Sequence, residues 1–241
     1  MGAIHQRRRT RVYQLYIGNR NYSSWSLRPW VLMREREIPF EEHVVPFEPG
    51  SSWVKFRAFS PSGRVPCLVD GGTVVWDSLG ITEYLAERHP GVWPRDAAAR
   101  TWARCAAAEM HSGFATLRNR CSMNVGLEVR LHEIEPALQR DVERIDELWS
   151  EGLRRFGGGF LGGASFTAVD AFFAPVAFRV ATYGLPLGEP ASAYAARLLA
   201  LPSMLEWKRA ALLEPWREAD HEADAAASGT IVADHRTAAP A

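Results

Sequence analysis

The sequence predicts an α/β plus all-α protein, and three observations carry that prediction. Strand and helix periodicities alternate up to His89, Pro90-Gly91-Val92-Trp93-Pro94 interrupts the pattern, and helical spacing dominates the remainder of the chain. Tyr13 to Ile17 alternates apolar and polar residues as a half-buried strand does. Leu27, Trp30, Val31 and Arg34 then recur at helical spacing. Pro29 suits a first turn, where its missing N–H costs nothing, so the helix is expected to start near Ser26 or Leu27 and to end before Pro39. Phe40 to Val45 alternates as a second strand and Phe56 to Ser62 reads as an irregular turn. Val65 to Val69 is a buried strand opening at Pro66, with Thr73 to Trp76 as its antiparallel partner across Gly71-Gly72. Leu79, Ile81, Tyr84 and Leu85 describe a helix that Pro90-Gly91 stops. This order, β-α-β then β-β-α, builds one compact layer over residues 12–90, its parallel strands joined by a crossover helix.

The second domain is expected over residues 95–216 as helices alone. Ala97 to about Asn119 reads as one alanine-rich helix. Val129 to Phe156 reads as another, with Glu133, Arg140, Glu143, Arg144 and Glu147 on its charged face and Gly157-Gly158-Gly159 ending it. Shorter helices are expected at Ala168 to Thr182, Ala191 to Leu199 and Ser203 to Leu213. Residues 217–241 are polar and alanine-rich without an apolar period and are expected to be a disordered tail.

Composition narrows the partners. The 241 residues carry 28 Lys plus Arg against 28 Asp plus Glu, so no net field draws nucleic acid or an anionic membrane. The basic start Arg7-Arg8-Arg9-Thr10-Arg11 reads as a disordered leader rather than a nucleic-acid arm. No apolar run approaches the roughly 20 residues that span a bilayer, which points to a cytoplasmic protein. Cys67, Cys105 and Cys121 have neither metal-ligand spacing nor the even number of a disulfide framework. No metal site is expected.

The most informative stretch is Asn21 to Trp30, which places Ser23, Ser24 and Ser26 between the first strand and the first helix. A helix start carries unpaired N–H groups and partial positive charge, so it suits an anion, although capping alone also accounts for a serine there.

Together with the order of elements, four local motifs over about residues 13–216 resemble the glutathione S-transferase family, and within it the serine-type, zeta-like group. Ser24-Trp25-Ser26-Leu27-Arg28 is similar to the S-W-x-V-R portion of that group's motif. With Trp25 and Arg28 aligned, the motif's two leading serines fall on Asn21 and Tyr22. The thiol-activating hydroxyl therefore stays open among Ser23, Ser24 and Tyr22, with Ser23 favoured. Arg64-Val65-Pro66-Cys67-Leu68 resembles the family's cis-proline turn, which implies that Trp25, Arg64, Val65 and Pro66 belong to the glutathione site. The backbone of Val65 would pair with the cysteinyl part as an added strand does. Asp77-Ser78 precedes a helix, which implies Ser78 as the N-cap holding the γ-glutamyl carboxylate and Asp77 near the ammonium. Thr167-Ala168-Val169-Asp170 resembles the family's capping box and is expected to serve stability. His111, Phe114 and Arg118 fall at i, i+3 and i+7 of one expected helix and are candidates for the second-substrate pocket.

The resemblance implies a thioredoxin-like N-terminal domain, an all-helical C-terminal domain, glutathione as co-substrate and a homodimer. The implied chemistry is attack of the glutathione thiolate on an electrophilic small molecule, in conjugation or in zeta-like cis-trans isomerisation. A thiol-disulfide oxidoreductase of the same fold would need a cysteine between Asn21 and Trp30, and there is none. A dinucleotide or P-loop enzyme lacks its Gly-rich fingerprint. The alternative kept open is a non-catalytic protein-interaction module of this fold.

Overall fold

The computed structural model describes residues 12–237, so the basic stretch at Arg7 to Arg11 lies outside the described residues. The first layer runs β1 (Tyr13–Ile17), α1 (Ser24–Glu35), β2 (Phe40–Val44), α2 (Trp53–Arg57), β3 (Cys67–Asp70), β4 (Thr73–Trp76) and α3 (Ser78–Ala86). Its strands lie in the order β2-β1-β3-β4. β1 pairs parallel to β2 from Tyr13↔Phe40 to Ile17↔Val44 and antiparallel to β3 at Leu15↔Leu68, and β3 turns through a hairpin into β4. This is the thioredoxin-like arrangement, with α1 as the crossover.

The chain continues through α4 (Ala97–Ser112), α5 (Ala115–Arg120), β5 (Leu127–Leu131), α6 (Pro136–Phe156), α7 (Ala168–Tyr183), α8 (Ala191–Leu199), α9 (Pro202–Leu213), α10 (Ala219–Ser228) and β6 (Gly229–Asp234). A helical domain results, joined to the first layer chiefly by the packing of α1 on α7. Leu27, Trp30, Val31, Leu32 and Met33 of α1 are all buried, because this helix has the sheet on one side and α7 on the other. Burying each such side chain contributes about 1.5–3 kcal/mol, so this seam sets the geometry of anything built at the start of α1.

The structure corrects several expectations. α1 begins at Ser24, so Pro29 sits inside the helix in its second turn. The expected turn at Phe56 to Ser62 is preceded by the short α2. The helix expected from Ala97 to Asn119 is broken at Gly113 and Phe114, where Phe114 adopts a left-handed φ of 58°. Leu127 to Leu131 is a strand, not the start of a helix, because its partner β6 lies a hundred residues on, from Leu127↔Asp234 to Leu131↔Gly229. The helical domain thus also holds a two-stranded ribbon.

The tail expected to be disordered instead forms α10 and β6. The Arg236 side chain, only 3% exposed, is held by Glu222 (Nη1 to Oε1, 2.5 Å) and Asp234 (Nη2 to Oδ2, 2.7 Å). The Tyr22 hydroxyl donates to Glu222 at 2.7 Å. Few apolar residues are needed when backbone pairing and buried ion pairs hold a segment, which is why hydrophobic periodicity gave no sign of it.

Candidate active site

The loop after β1 is tied down before the serines begin. The carbonyl of Asn19 accepts from the N–H groups of Tyr22 and Ser23 (3.2 and 2.8 Å), and its side chain accepts from Phe47 N–H (2.7 Å). Asn21 is fully buried: its Oδ1 accepts from Gly126 N–H (3.0 Å), and its amide donates to the Ala211 carbonyl (3.3 Å). Glu214 accepts from Arg20 N–H at 2.9 Å, and Trp207 Nε1 donates to the Arg20 carbonyl at 3.0 Å. A side chain at Gly18 would meet the Phe47 ring at 2.8 Å and Val65 at 3.2 Å, so glycine lets this loop lie against the proline segment without displacing either. The second domain, through α9 and the stretch around Val125, therefore orients the start of α1.

At that start the three candidate hydroxyls separate. The Tyr22 hydroxyl donates a hydrogen bond to Glu222 and also accepts from Arg236 Nη1 (3.2 Å). Burial and the Glu222 carboxylate push its phenol well above the ordinary tyrosine range, so Tyr22 serves the tail. Ser23, the N-cap of α1, donates to Ser26 Oγ at 2.7 Å, and Ser26 accepts again from Gly18 N–H at 3.1 Å. Ser24 opens the helix, is 6% exposed, lines the cleft and makes no side-chain hydrogen bond among the described residues.

A second helix start joins the same cleft. The Val65–Pro66 peptide bond is cis. Val65, Pro66, Arg64, Trp25, Asp77 and Ser78 border a hollow of about 230 Å³, which shares Trp25, Arg64 and Val65 with a larger cleft of about 610 Å³. The N-cap of α3 is Asp77, whose Oδ1 accepts from Leu79 N–H at 2.8 Å. Ser78 is the first helical residue, not the cap as expected, and is fully buried.

Behind both helix starts lies Arg28, 1% exposed and without a carboxylate at ion-pair distance among the described residues. Its Nη1 reaches Ser78 Oγ and His111 Nδ1 (3.5 Å each), and its guanidinium stacks on Trp25 (4.2 Å) and Phe172 (4.8 Å). Burial first, then Arg118 and Arg179, weaken its hold on its proton, while Asp77 opposes them. The cleft is therefore lined by helix N-termini and backed by positive charge, an arrangement for binding anions.

The three residues expected to line a second-substrate pocket are neighbours, Arg118 bonding the carbonyls of His111 and Phe114, but they do not line the cleft together. His111 stands near Asp77 (Nε2 to Oδ2, 3.5 Å) and edge-on to Trp25 (5.2 Å); burial lowers its pKa, which keeps it neutral at pH 7. Phe114 is buried at the break between α4 and α5 and does not border the cleft. Arg118 alone lines the large cleft, its guanidinium 4.8 Å from the Trp25 ring and hydrogen-bonded to the carbonyls of Met110, His111 and Gly113. Cys67 is buried, with a thiol pushed up to about 11 by burial, which removes it as a redox centre. Sequence reasoning missed Arg28, Arg179 and His221. Arg28 and Arg179 were visible as lone cations within apolar helical runs, whereas His221 reaches the cleft only because α10 folds back.

Comparisons with known proteins place the fold in a family. Residues 22–88 match the profile of the glutathione S-transferase N-terminal domain and residues 130–219 that of the glutathione S-transferase C-terminal domain. A Caenorhabditis elegans protein named "Probable maleylacetoacetate isomerase" is 32% identical over 107 residues, 44% of this chain and 49% of that protein, so the chain matches about half of it. A zeta-class glutathione S-transferase of Euphorbia esula is 29% identical over 157 residues, 64% of this chain and 70% of that protein. Among solved structures, a glutathione transferase homolog from Burkholderia gl BGR1 with bound glutathione superposes with a TM-score of 0.62 at 22% identity, covering 83% of this chain and 98% of that one; this is a likeness of fold. With both domain profiles matched in order over well over half of its length, the chain belongs to the glutathione S-transferase family.

Proposed function

We propose that this protein is a glutathione transferase that ionises the glutathione thiol and directs it at an electrophilic small molecule. The observation that carries the reading is the convergence of two helix starts and the cis-proline segment on one cleft backed by Arg28. Glutathione has a carboxylate and an ammonium at its γ-glutamyl end, a thiol in the middle and a second carboxylate. Ser78 and the first N–H groups of α3 suit the γ-glutamyl carboxylate, Asp77 suits the ammonium, and the backbone of Val65 suits the cysteinyl amide.

The thiol then falls to the start of α1. A free thiol has a pKa near 8.5 and is only a few per cent ionised at neutral pH. The hydroxyl of Ser24, which has no other partner among the described residues, together with the positive end of α1, would hold the thiolate, leaving Ser23 to brace Ser26. In conjugation the thiol proton passes to solvent, the thiolate forms a C–S bond and the leaving group departs with its electron pair. In isomerisation the same addition to a double bond is followed by rotation and elimination. The protein supplies binding, orientation and charge stabilisation without itself forming a covalent bond.

The names of the relatives support either outcome. Membership of the family supports a homodimer, and the three free cysteines support a cytoplasmic location. Calorimetry of glutathione binding tests the reading: the parent should bind glutathione and Ser78→Ala should bind it several-fold more weakly. No heat at millimolar glutathione would reject the enzyme in favour of an interaction module.

A further inference from the structure

We propose that His221, oriented by Glu218, is the base that takes the proton of the glutathione thiol, so that substrate sulfur, imidazole and carboxylate form a relay in the 610 Å³ cleft. The inference rests on the transferase reading and adds a catalytic residue to it. Glu218 is the N-cap of α10, and His221 stands three residues on. The carboxylate accepts twice through Oε2, from His221 N–H at 2.8 Å and from the ring Nδ1 at 2.5 Å. A cap needs only the first of these bonds. Burial pushes Glu218 up, but the bonds from His221 outweigh it and hold the carboxyl below its usual value, so it is ionised and can only accept. In the neutral imidazole the hydrogen therefore sits on Nδ1. That leaves Nε2, which makes no hydrogen bond among the described residues, as the nitrogen open to a proton.

The ring is fixed in the cleft wall. It lies 5.0 Å from the Tyr22 ring and 5.9 Å from the Phe47 ring, parallel to the latter within 2°. The Tyr22 hydroxyl accepts from Glu218 N–H at 3.4 Å and donates to Glu222, so the first turn of α10 is fastened to the residue that immediately precedes Ser23 and Ser24. His221, Ser23, Ser24 and Val65 line one cleft, which sets the imidazole on the wall shared with the proposed thiol position. The ionisable groups around it are Glu218, Asp220 and Asp224 on its own segment, Tyr22 against the ring, and Arg64, Arg118 and Arg179 in the cleft lining. Tyr22, its phenol held well above the ordinary range, keeps its own proton and does not compete as a base. In the proposed step the S–H bond breaks, its electron pair stays on sulfur and an N–H bond forms at Nε2. The imidazolium then stands beside the thiolate and stabilises it, as in a cysteine–histidine pair, with the cysteine supplied by the substrate. The His221 side chain is 33% exposed, so the proton can pass on to water.

Titration of the ultraviolet thiolate band in the complex of the full chain with glutathione tests the step. His221→Gln, which can hydrogen-bond but takes up no proton, should raise the pKa of the bound thiol by at least about one unit, a tenfold loss of thiolate below that pKa. Glu218→Gln should raise it by less. With 1-chloro-2,4-dinitrobenzene as electrophile, kcat/KM of His221→Gln should fall about tenfold below neutral pH and recover as pH rises through the raised thiol pKa. S-methylglutathione, which has no thiol proton to give, should bind the parent and both variants alike. An unchanged thiol pKa in a His221→Gln protein that binds glutathione overturns the proposal and leaves the transferase reading standing. So does a loss of S-methylglutathione affinity equal to the loss of kcat/KM, which would make the ring a structural support. A parent that binds no glutathione overturns both. Should His221→Gln not fold, Glu218→Gln decides: a raised thiol pKa supports the relay and an unchanged one overturns it.

Discussion

Replacing Glu222 by alanine tests the idea that the C-terminal segment is part of the folded protein and supports the start of α1. The carboxylate accepts from Tyr22 (2.7 Å), from Asn124 Nδ2 (3.1 Å) and twice from Arg236 (2.5 and 2.9 Å). Glu222→Ala removes all four bonds and leaves Arg236, 3% exposed, with Asp234 as its remaining carboxylate. Breaking a buried pair outright costs about 3–5 kcal/mol; the surviving Asp234 contact and the 29% exposure of the Glu222 side chain bring the expected loss to about 2–3 kcal/mol. For a chain of this size each kcal/mol moves Tm by about 2–4 °C, so a fall of about 4–12 °C is expected in thermal unfolding followed by circular dichroism. Glu222→Gln, which keeps an acceptor but loses the charge, should fall between. The pH dependence has a definite sign. Burial pushes Glu222 up, but the hydrogen bonds from Arg236 and Tyr22 outweigh it and hold the carboxyl below its usual value. Its stabilisation is therefore present at neutral pH and is lost as pH falls through the ordinary carboxylate range toward that lowered pKa, and Glu222→Ala should flatten this acid limb. A Tm within about 1 °C of the parent, or an unchanged acid limb, would refute the reasoning.

Four further outcomes are expected. Ser24→Ala should slow turnover with a standard electrophile about ten- to a hundredfold and raise the pKa of bound glutathione, read by its ultraviolet thiolate band, by about one to two units, the worth of one hydrogen bond to a charged group. Ser23→Ala should change both less, because its proton is committed to Ser26; the opposite ranking would return the role to Ser23. Asp170 accepts from Leu161 N–H, Thr167 N–H and Tyr194 hydroxyl (2.9, 2.9 and 2.7 Å) in a fully buried site, so Asp170→Ala should cost at least about 3 kcal/mol in urea unfolding. Burial pushes Asp170 up from 3.8 to about 6, so the folded protein holds that proton more tightly than the unfolded chain does. The stabilisation from it is complete below about pH 4 and is lost as pH rises through about 6, so the stability profile of Asp170→Asn, with no proton to lose, should lack that decline.

How much could be read from residues alone depends on the range of the interactions. Strands β1 and β4 and helix α8 carry their period and their stop signals within a few residues, and their observed bounds coincide with the expected ones. The proline turn, Asp77-Ser78 and the Thr167 box are equally local, because a cap or a cis-proline segment is written in adjacent residues. β5 and the tail escaped because each is half of a structure whose other half is distant in the chain. The break at Phe114 escaped because its left-handed turn carries a residue that does not advertise one.

The same division runs through the site. Residue order alone brought out two helices, the hydroxyls near their starts and the proline between them, to within a few residues, since periodicity and capping act over a turn or two of chain. Which hydroxyl is free, and that Arg28 backs both helix starts, were decided by packing of α7, α9 and α10 against the first layer. Partners, burial and charge balance depend on neighbours far apart in sequence, and those come into being only when the two domains close on each other.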